Sequence, residues 1–111
     1  MFSVVLHGTV HVLSGKESIT EPNLPELNRY LDDCLRSSSA RVVLNLSEIP
    51  LFDSLGLEWL LTSAERCAER GGQLQIAAAN PLCRDILGAT GVAERFEHFD
   101  DVRTAVRSFT R

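Results

Sequence analysis

Ser54 is the hydroxyl in this sequence whose surroundings could do the most chemistry. It follows Asp53 and precedes Leu55-Gly56-Leu57, between a short apolar run and a long stretch of helical spacing. A serine where a strand hands over to a helix lies beside free backbone N–H groups and the positive end of a helix dipole. Phosphate added at such a place is stabilised, so Ser54 has the setting of a regulated modification site. The plainer reading is that Asp53 or Ser54 only caps the helix, and on residue types alone both readings stay open. A hydrolase nucleophile is a poorer description. Leu51-Phe52-Asp53-Ser54-Leu55-Gly56 lacks the first glycine of Gly-x-Ser-x-Gly, and His98 is the only later histidine. Gly71-Gly72 and Gly88 with Gly91 form neither a phosphate-binding loop nor a dinucleotide fingerprint. No catalytic residue and no cofactor is expected.

The remaining reactive side chains point elsewhere. Cys34, Cys67 and Cys83 are odd in number, far apart and without a Cys-x-x-Cys pair, which implies reduced thiols in a cytoplasmic setting. Each falls on the apolar side of a helical pattern, where a buried structural thiol is the expectation. His7, His11 and His98 have no metal-ligand spacing among themselves or with the cysteines, so no metal site is expected.

The elements that must position Ser54 can be read around it. Arg41-Val42-Val43-Leu44-Asn45-Leu46 is short, apolar and β-branched, as a strand buried on both faces of a parallel sheet requires. After the serine, Leu57, Leu60, Leu61, Ala64, Cys67 and Ala68 recur at helical spacing, with Glu58, Glu65, Arg66, Glu69 and Arg70 opposite and Gly71-Gly72 as the stop. Trp59 falls near the polar side of this helix. It is either folded against a neighbouring element or a partly exposed aromatic anchor beside Ser54.

Upstream, Val4 to Leu13 reads as two strands around a His7-Gly8 turn, with His11 on a sheet face. Gly15 to Pro25 is a polar loop that can border Ser54. Leu24, Leu27, Tyr30, Leu31, Cys34 and Leu35 then make a helical stripe, and Ser37-Ser38-Ser39 a loop. Downstream, Gln73 to Ala78 is a strand, and Asn80 caps a helix opened by Pro81 with Leu82, Ile86 and Leu87 on its core side. Val92 to Phe96 is a bridging turn and Glu97-His98-Phe99 an edge strand. Asp100 or Asp101 then caps a last helix from Val102 to Phe109.

Composition excludes several classes. The chain has 111 residues, 44% of them hydrophobic, which suits one compact domain spanning 1–111. Mean hydropathy is +0.01, and no apolar run approaches the roughly 20 residues of a spanning helix. The start Met1-Phe2-Ser3-Val4 lacks the features of a signal peptide. Eleven Lys and Arg against fifteen Asp and Glu give a net charge of −4 without a basic cluster, which argues against a nucleic-acid partner.

Asp53-Ser54-x-Gly56-Leu57 at the junction, after a strand ending Leu44-Asn45-Leu46, resembles the signature of the STAS domain. That is the domain of anti-sigma factor antagonists and of sulfate-transporter tails. The resemblance runs on through Glu69-Arg70-Gly71-Gly72, the strand from Gln73, Asn80-Pro81 and Phe96 to Asp101, and covers Arg41 to the C-terminus well and the first forty residues by pattern. It implies an α/β fold, a STAS-type mixed sheet with an N-terminal antiparallel hairpin and about four helices packed on it.

What the resemblance implies for function is a cytoplasmic, bacterial protein-interaction switch. Its partner would be an anti-sigma factor that is also a serine kinase, and the kinase would phosphorylate Ser54 with its own ATP and magnesium. Asp53, Leu55, Gly56, Glu58 and Trp59 would form the partner-binding surface, with Ser18, Thr20 and Asn80 at its rim. Two positions depart from the family pattern. Leu55 stands where phosphorylated members commonly have a small hydroxyl residue, and Gly15-Lys16-Glu17-Ser18 replaces a more acidic loop. Both favour the alternative, a constitutive assembly subunit of a stress-signalling or ABC-transport complex without phosphorylation.

Overall fold

The computed structural model of the protein describes residues 1–37 and 40–110, so Ser38 and Ser39 of the expected serine loop lie outside the described residues. β1 (Phe2–His7) and β2 (Val10–Gly15) form an antiparallel hairpin. The turn is Gly8-Thr9, with Gly8 at φ +63°, a conformation a residue without Cβ adopts freely. His7 is therefore the last strand residue, paired with Val10, and not the turn residue expected of it. β3 (Arg41–Asn45), β4 (Gln73–Ala77) and β5 (His98–Phe99) add in parallel, giving a five-stranded sheet whose spatial order is β1-β2-β3-β4-β5.

Strands that follow one another in parallel need right-handed crossovers, and a constant direction of travel puts every crossover helix on one face. Three of the four α-helices among the described residues are such crossovers: α1 (Leu24–Arg36), α2 (Ser54–Glu69) and α3 (Pro81–Ala89). Their Leu27, Leu31, Leu60, Cys83 and Leu87 bury against Val42, Leu44, Leu74 and Ile76. The fourth, α4 (Val102–Ser108), comes after the last strand and covers the opposite face. There Ala105, with Val102, Val106 and Phe109, packs on Val10, Val12, Val43 and Ala77. Val42, Val43 and Leu44 of β3 are at most 1% exposed, which is why that strand reads as an unbroken apolar run. Gln75 is the polar exception on the α4 side, and its Oε1 accepts a 2.8 Å bond from the Ser108 hydroxyl.

Two helix faces differ from their spacing. On α2 the buried line is Gly56, Trp59, Leu60, Ser63 and Cys67, while Leu57, Leu61 and Ala64 are half-buried and Ala68 is exposed. The helix is rolled by about one position because Trp59 is the bulkiest side chain it can bury. On α3 the core side is Cys83 and Leu87, and Leu82, expected there, is 51% exposed.

Candidate functional site

α2 begins at Ser54, and its cap is Asp53 alone. Asp53 has extended backbone, and its Oδ1 accepts a 2.7 Å bond from the Gly56 N–H, satisfying one of the donors a helix start leaves free. Its Oδ2 accepts from the Glu21 N–H at 3.1 Å, thirty-two residues away in sequence. The same two segments are joined a second way: Ile19 and Phe52 form an isolated parallel bridge, with the Ile19 N–H on the Leu51 carbonyl at 3.0 Å and the Asp53 N–H on the Ile19 carbonyl at 3.4 Å. The loop after β2 is thereby clamped across the start of α2.

Gly56 makes that clamp possible. A Cβ at this position would lie 1.8 Å from the Ile19 carbonyl oxygen, a separation no side chain tolerates. The glycine of Asp-Ser-x-Gly is thus needed for close backbone approach, and it is buried. Ser54, by contrast, is exposed, and among the described residues its hydroxyl has no hydrogen-bond partner. Asp53 spends both oxygens on backbone N–H groups, so the carboxylate next to Ser54 serves the scaffold and is not placed as a base.

The start of α3 is fastened to the loop between β3 and α2. Asn80 caps α3, its Oδ1 accepting from the Cys83 N–H at 2.8 Å, while its Nδ2 donates to the Ile49 carbonyl at 2.7 Å. The Cys83 thiol adds contacts to the carbonyls of Ile49 at 3.4 Å and Pro50 at 3.7 Å. Ala78, leading from β4 toward Asn80, holds φ +59°, a strained conformation for a residue with a Cβ.

Of the residues expected to form a partner surface, Leu55 and Glu58 are exposed, Leu55 to 39%. Glu58 lies four residues after Ser54 and so shares its helix face. Ser18 and Thr20 sit half-buried on the clamped loop, where the Ser18 carbonyl accepts from Asn23 Nδ2 at 2.7 Å. Asp53, Gly56 and Asn80 form the frame beneath this surface. Trp59 is the correction. It is 7% exposed, and its Nε1 donates to Asn28 Oδ1 of α1 at 2.9 Å, so it anchors α2 to α1 and presents no aromatic face beside Ser54. Residue spacing missed two side chains that do face solvent here. Leu51 lies in the loop between β3 and α2 at 37% exposure, and Leu82 is in the first turn of α3. With Leu55 they are three of the six large hydrophobic side chains exposed among the described residues, and all three stand on segments tied to the loop before Ser54.

The cysteines are free thiols, buried in the core. Burial pushes the Cys34 and Cys67 thiols up to about 11 and raises that of Cys83 as well, so none is a nucleophile near neutral pH. Among the described residues no group of three or more His, Cys, Asp or Glu could hold a metal ion, and no helix is long and apolar enough to cross a membrane.

A mixed five-stranded sheet that starts with an antiparallel hairpin matches the STAS fold, and the family model for the STAS domain matches residues 2–105. The chain belongs to the STAS family. Its fold is similar to that of an anti-sigma factor antagonist from Mycobacterium paratuberculosis, at 22% identity and TM-score 0.88 over 100% of this chain and 94% of the other. It is equally close to a putative anti-sigma factor antagonist from Thermotoga maritima, at 18% identity and TM-score 0.90 over 99% and 95%. Murine Slc26a9, an anion transporter, matches at 15% identity and TM-score 0.76, over 88% of this chain but 17% of that one. Comparison with curated proteins gives no match.

Proposed function

We propose that this STAS domain works by binding a partner protein, in the manner of an anti-sigma factor antagonist, and that phosphorylation of Ser54 releases the partner. The observation that carries the reading is Ser54 itself: exposed, its hydroxyl without a hydrogen-bond partner among the described residues, and at the first position of a sixteen-residue helix whose cap is fixed by a distant loop. The partner would be an anti-sigma factor with serine kinase activity, acting in the cytoplasm and bringing its own ATP and magnesium. Leu51, Leu55 and Leu82 supply apolar contacts around the serine, and Glu58 and the half-buried Ser18 and Thr20 the polar margin. No step of catalysis is assigned to the domain.

The electrostatics support release. A phosphoserine carries about −1.5 to −2 charges at neutral pH. The amides of the first turn of α2 stabilise those charges in the free domain. In a complex the phosphate would need its water removed, close to Asp53 and with Glu58 on the same helix face, which costs binding energy without any change of fold.

The three leucines favour a second reading, in which the same surface is a constitutive contact in a larger STAS assembly, since an apolar surface suits a permanent interface. Peptide mapping by mass spectrometry of the protein from its own cells, grown with and without stress, separates the two. Phosphate on Ser54 that changes with condition is the expected result. A Ser54 that stays unmodified throughout transfers the surface to the constitutive role. For the switch, Ser54→Asp weakens partner capture at least tenfold while Ser54→Ala retains it.

A further inference from the structure

The two edges of the sheet are treated differently. β5 is two residues long, a short edge of the kind that discourages pairing. β1 has six residues, Phe-Ser-Val-Val-Leu-His, in unbroken register with β2, and carries no lysine, proline or bulge. Val5 is 56% and Leu6 59% exposed, one on each face of the sheet, so this apolar edge stands open to water.

The hairpin register says which backbone groups of this edge are free. A two-residue turn closes on a hydrogen-bonded pair, here His7 with Val10, so His7, Val5 and Ser3 bond inward to β2. Phe2, Val4 and Leu6 aim their N–H and C=O groups outward. At Phe2 the outward N–H is already taken, donating at 3.1 Å to Glu26 Oε2 of α1. The open stretch is therefore centred on Val5, between Val4 and Leu6.

We propose that β1 is a self-association edge, on which a second copy of this chain pairs antiparallel about a two-fold axis at Val5. That register places Val4 opposite the second copy's Leu6 as a hydrogen-bonded pair, and the reverse, giving four N–H···O=C bonds. Val5 then faces its own copy in a close, non-hydrogen-bonded pair. It is the register that uses both open residues in full without displacing Glu26 from Phe2: an axis at Val4 would need the Phe2 N–H, and one at Leu6 loses a pair. The side chains suit it as well. Leu6 meets Val4, whose side chain already packs on the α1–α2–α3 core, and the facing Val5 pair lies beside Val12 of the α4 core, so both apolar layers continue across the axis. The charge is right too. The whole chain is at −4, yet β1 holds no carboxylate or ammonium side chain, and His7 falls opposite Ser3. Two acidic copies approach with least repulsion through this strip. A single strand pair buries well under the roughly 1,600 Å² of a standard interface, so the dimer is weak and concentration-dependent.

Sedimentation velocity of the full chain from about 10 μM to about 1 mM tests this, and a monomer–dimer equilibrium within that range is expected. Val5→Lys and Val5→Glu each set like charges face to face at the axis and weaken association at least tenfold. An equimolar mixture of the two restores it, because lysine then faces glutamate. In the unaltered protein, amide exchange at Val4 and Leu6 slows as concentration rises, a readout that needs no variant. Ser54→Ala associates like the parent, so the result stands apart from the fate of the phosphorylation reading. A parent that stays monomeric across the range, including one whose edge serves a different protein, overturns the proposal. So does a mixture that associates no better than either variant.

Discussion

Two helix starts in this molecule share a local design and differ in every other respect. At α2, Asp53 caps the helix through a 2.7 Å bond from the N–H three residues on, and at α4 Asp101 does the same, also at 2.7 Å. Both caps have extended backbone. Asp101, however, receives only its own helix: its carboxylate accepts from Thr104, and the first helical residue is the half-buried Val102. Asp53 also holds the Glu21 N–H, the carbonyl of Ile19 fits over Gly56, and the first helical residue is an exposed serine. A cap by itself orders one turn of helix. A cap that also grips a loop thirty-two residues away fixes where that turn stands, and only the second arrangement holds its first helical residue, Ser54, in a constant position.

The comparison can be broken most severely at Gly56. Replacing a helix glycine with alanine should add about 1 kcal/mol of stability from propensity alone. Here the new Cβ would meet the Ile19 carbonyl at 1.8 Å, with Asp53 Oδ1 at 3.2 Å, and both are held by the clamp. The clash decides the sign: Gly56→Ala is expected to destabilise by about 3 kcal/mol in urea unfolding. The matching position in α4, Thr104, already bears a side chain, and Thr104→Ala should move stability by about 0.5 kcal/mol or less. An unchanged midpoint for Gly56→Ala would mean the loop yields and the clamp is soft.

The caps themselves sharpen the contrast. Asp53→Ala removes the capping bond and the tie to Glu21, for an expected loss of about 2 kcal/mol, the upper end of the range for caps. The loss should also appear as faster amide exchange at Glu21, remote in sequence from the substitution. Asp101→Ala frays α4 and leaves exchange elsewhere as it was. Equal and purely local effects at the two sites would remove the distinction drawn between them.

Most of this frame is visible in the order of residues, and the parts that are not share one cause. β3 shows as a continuous apolar run because both of its faces are covered, and the caps show because Asp and Asn before a helical pattern have one local role. Features set by distant neighbours do not show. Trp59 lies near the polar side by spacing, and only the arrival of Asn28 from α1 reveals that it is buried with its N–H satisfied. Leu82 has a core-like position and still faces solvent, because α3 starts on the loop at Ile49 and Pro50 and turns Cys83 inward in its place. His7 reads as a turn beside Gly8, but strand pairing with Val10 moves the turn one residue on. The bridge between Ile19 and Phe52 has no local signature at all, and yet it holds the site together. For the surface around Ser54 the sequence names the serine, Leu55 and Glu58. Leu51 becomes visible only once the loop is folded against its neighbours.

The finest test of the comparison is a pH titration of the weaker cap. The Thr104 backbone N–H beside Asp101 holds its carboxyl below the ordinary carboxylate value of 3.8, helped by the Thr104 side chain and the nearby Arg103 and Arg107. A carboxyl lowered in the folded state binds its proton more weakly there than in the unfolded chain, so its contribution is complete above 3.8. It is lost as pH falls from that value through the lower folded one. Asp101→Asn keeps an oxygen that can cap without a titrating proton, so the variant should lose part of the acid-side slope of stability while its neutral-pH unfolding midpoint changes little. Because Asp101 is fully exposed, the change should also shrink in high salt. An acid limb that is the same in parent and variant would show that the bond seen at Thr104 orders the first turn of α4 without biasing its titration.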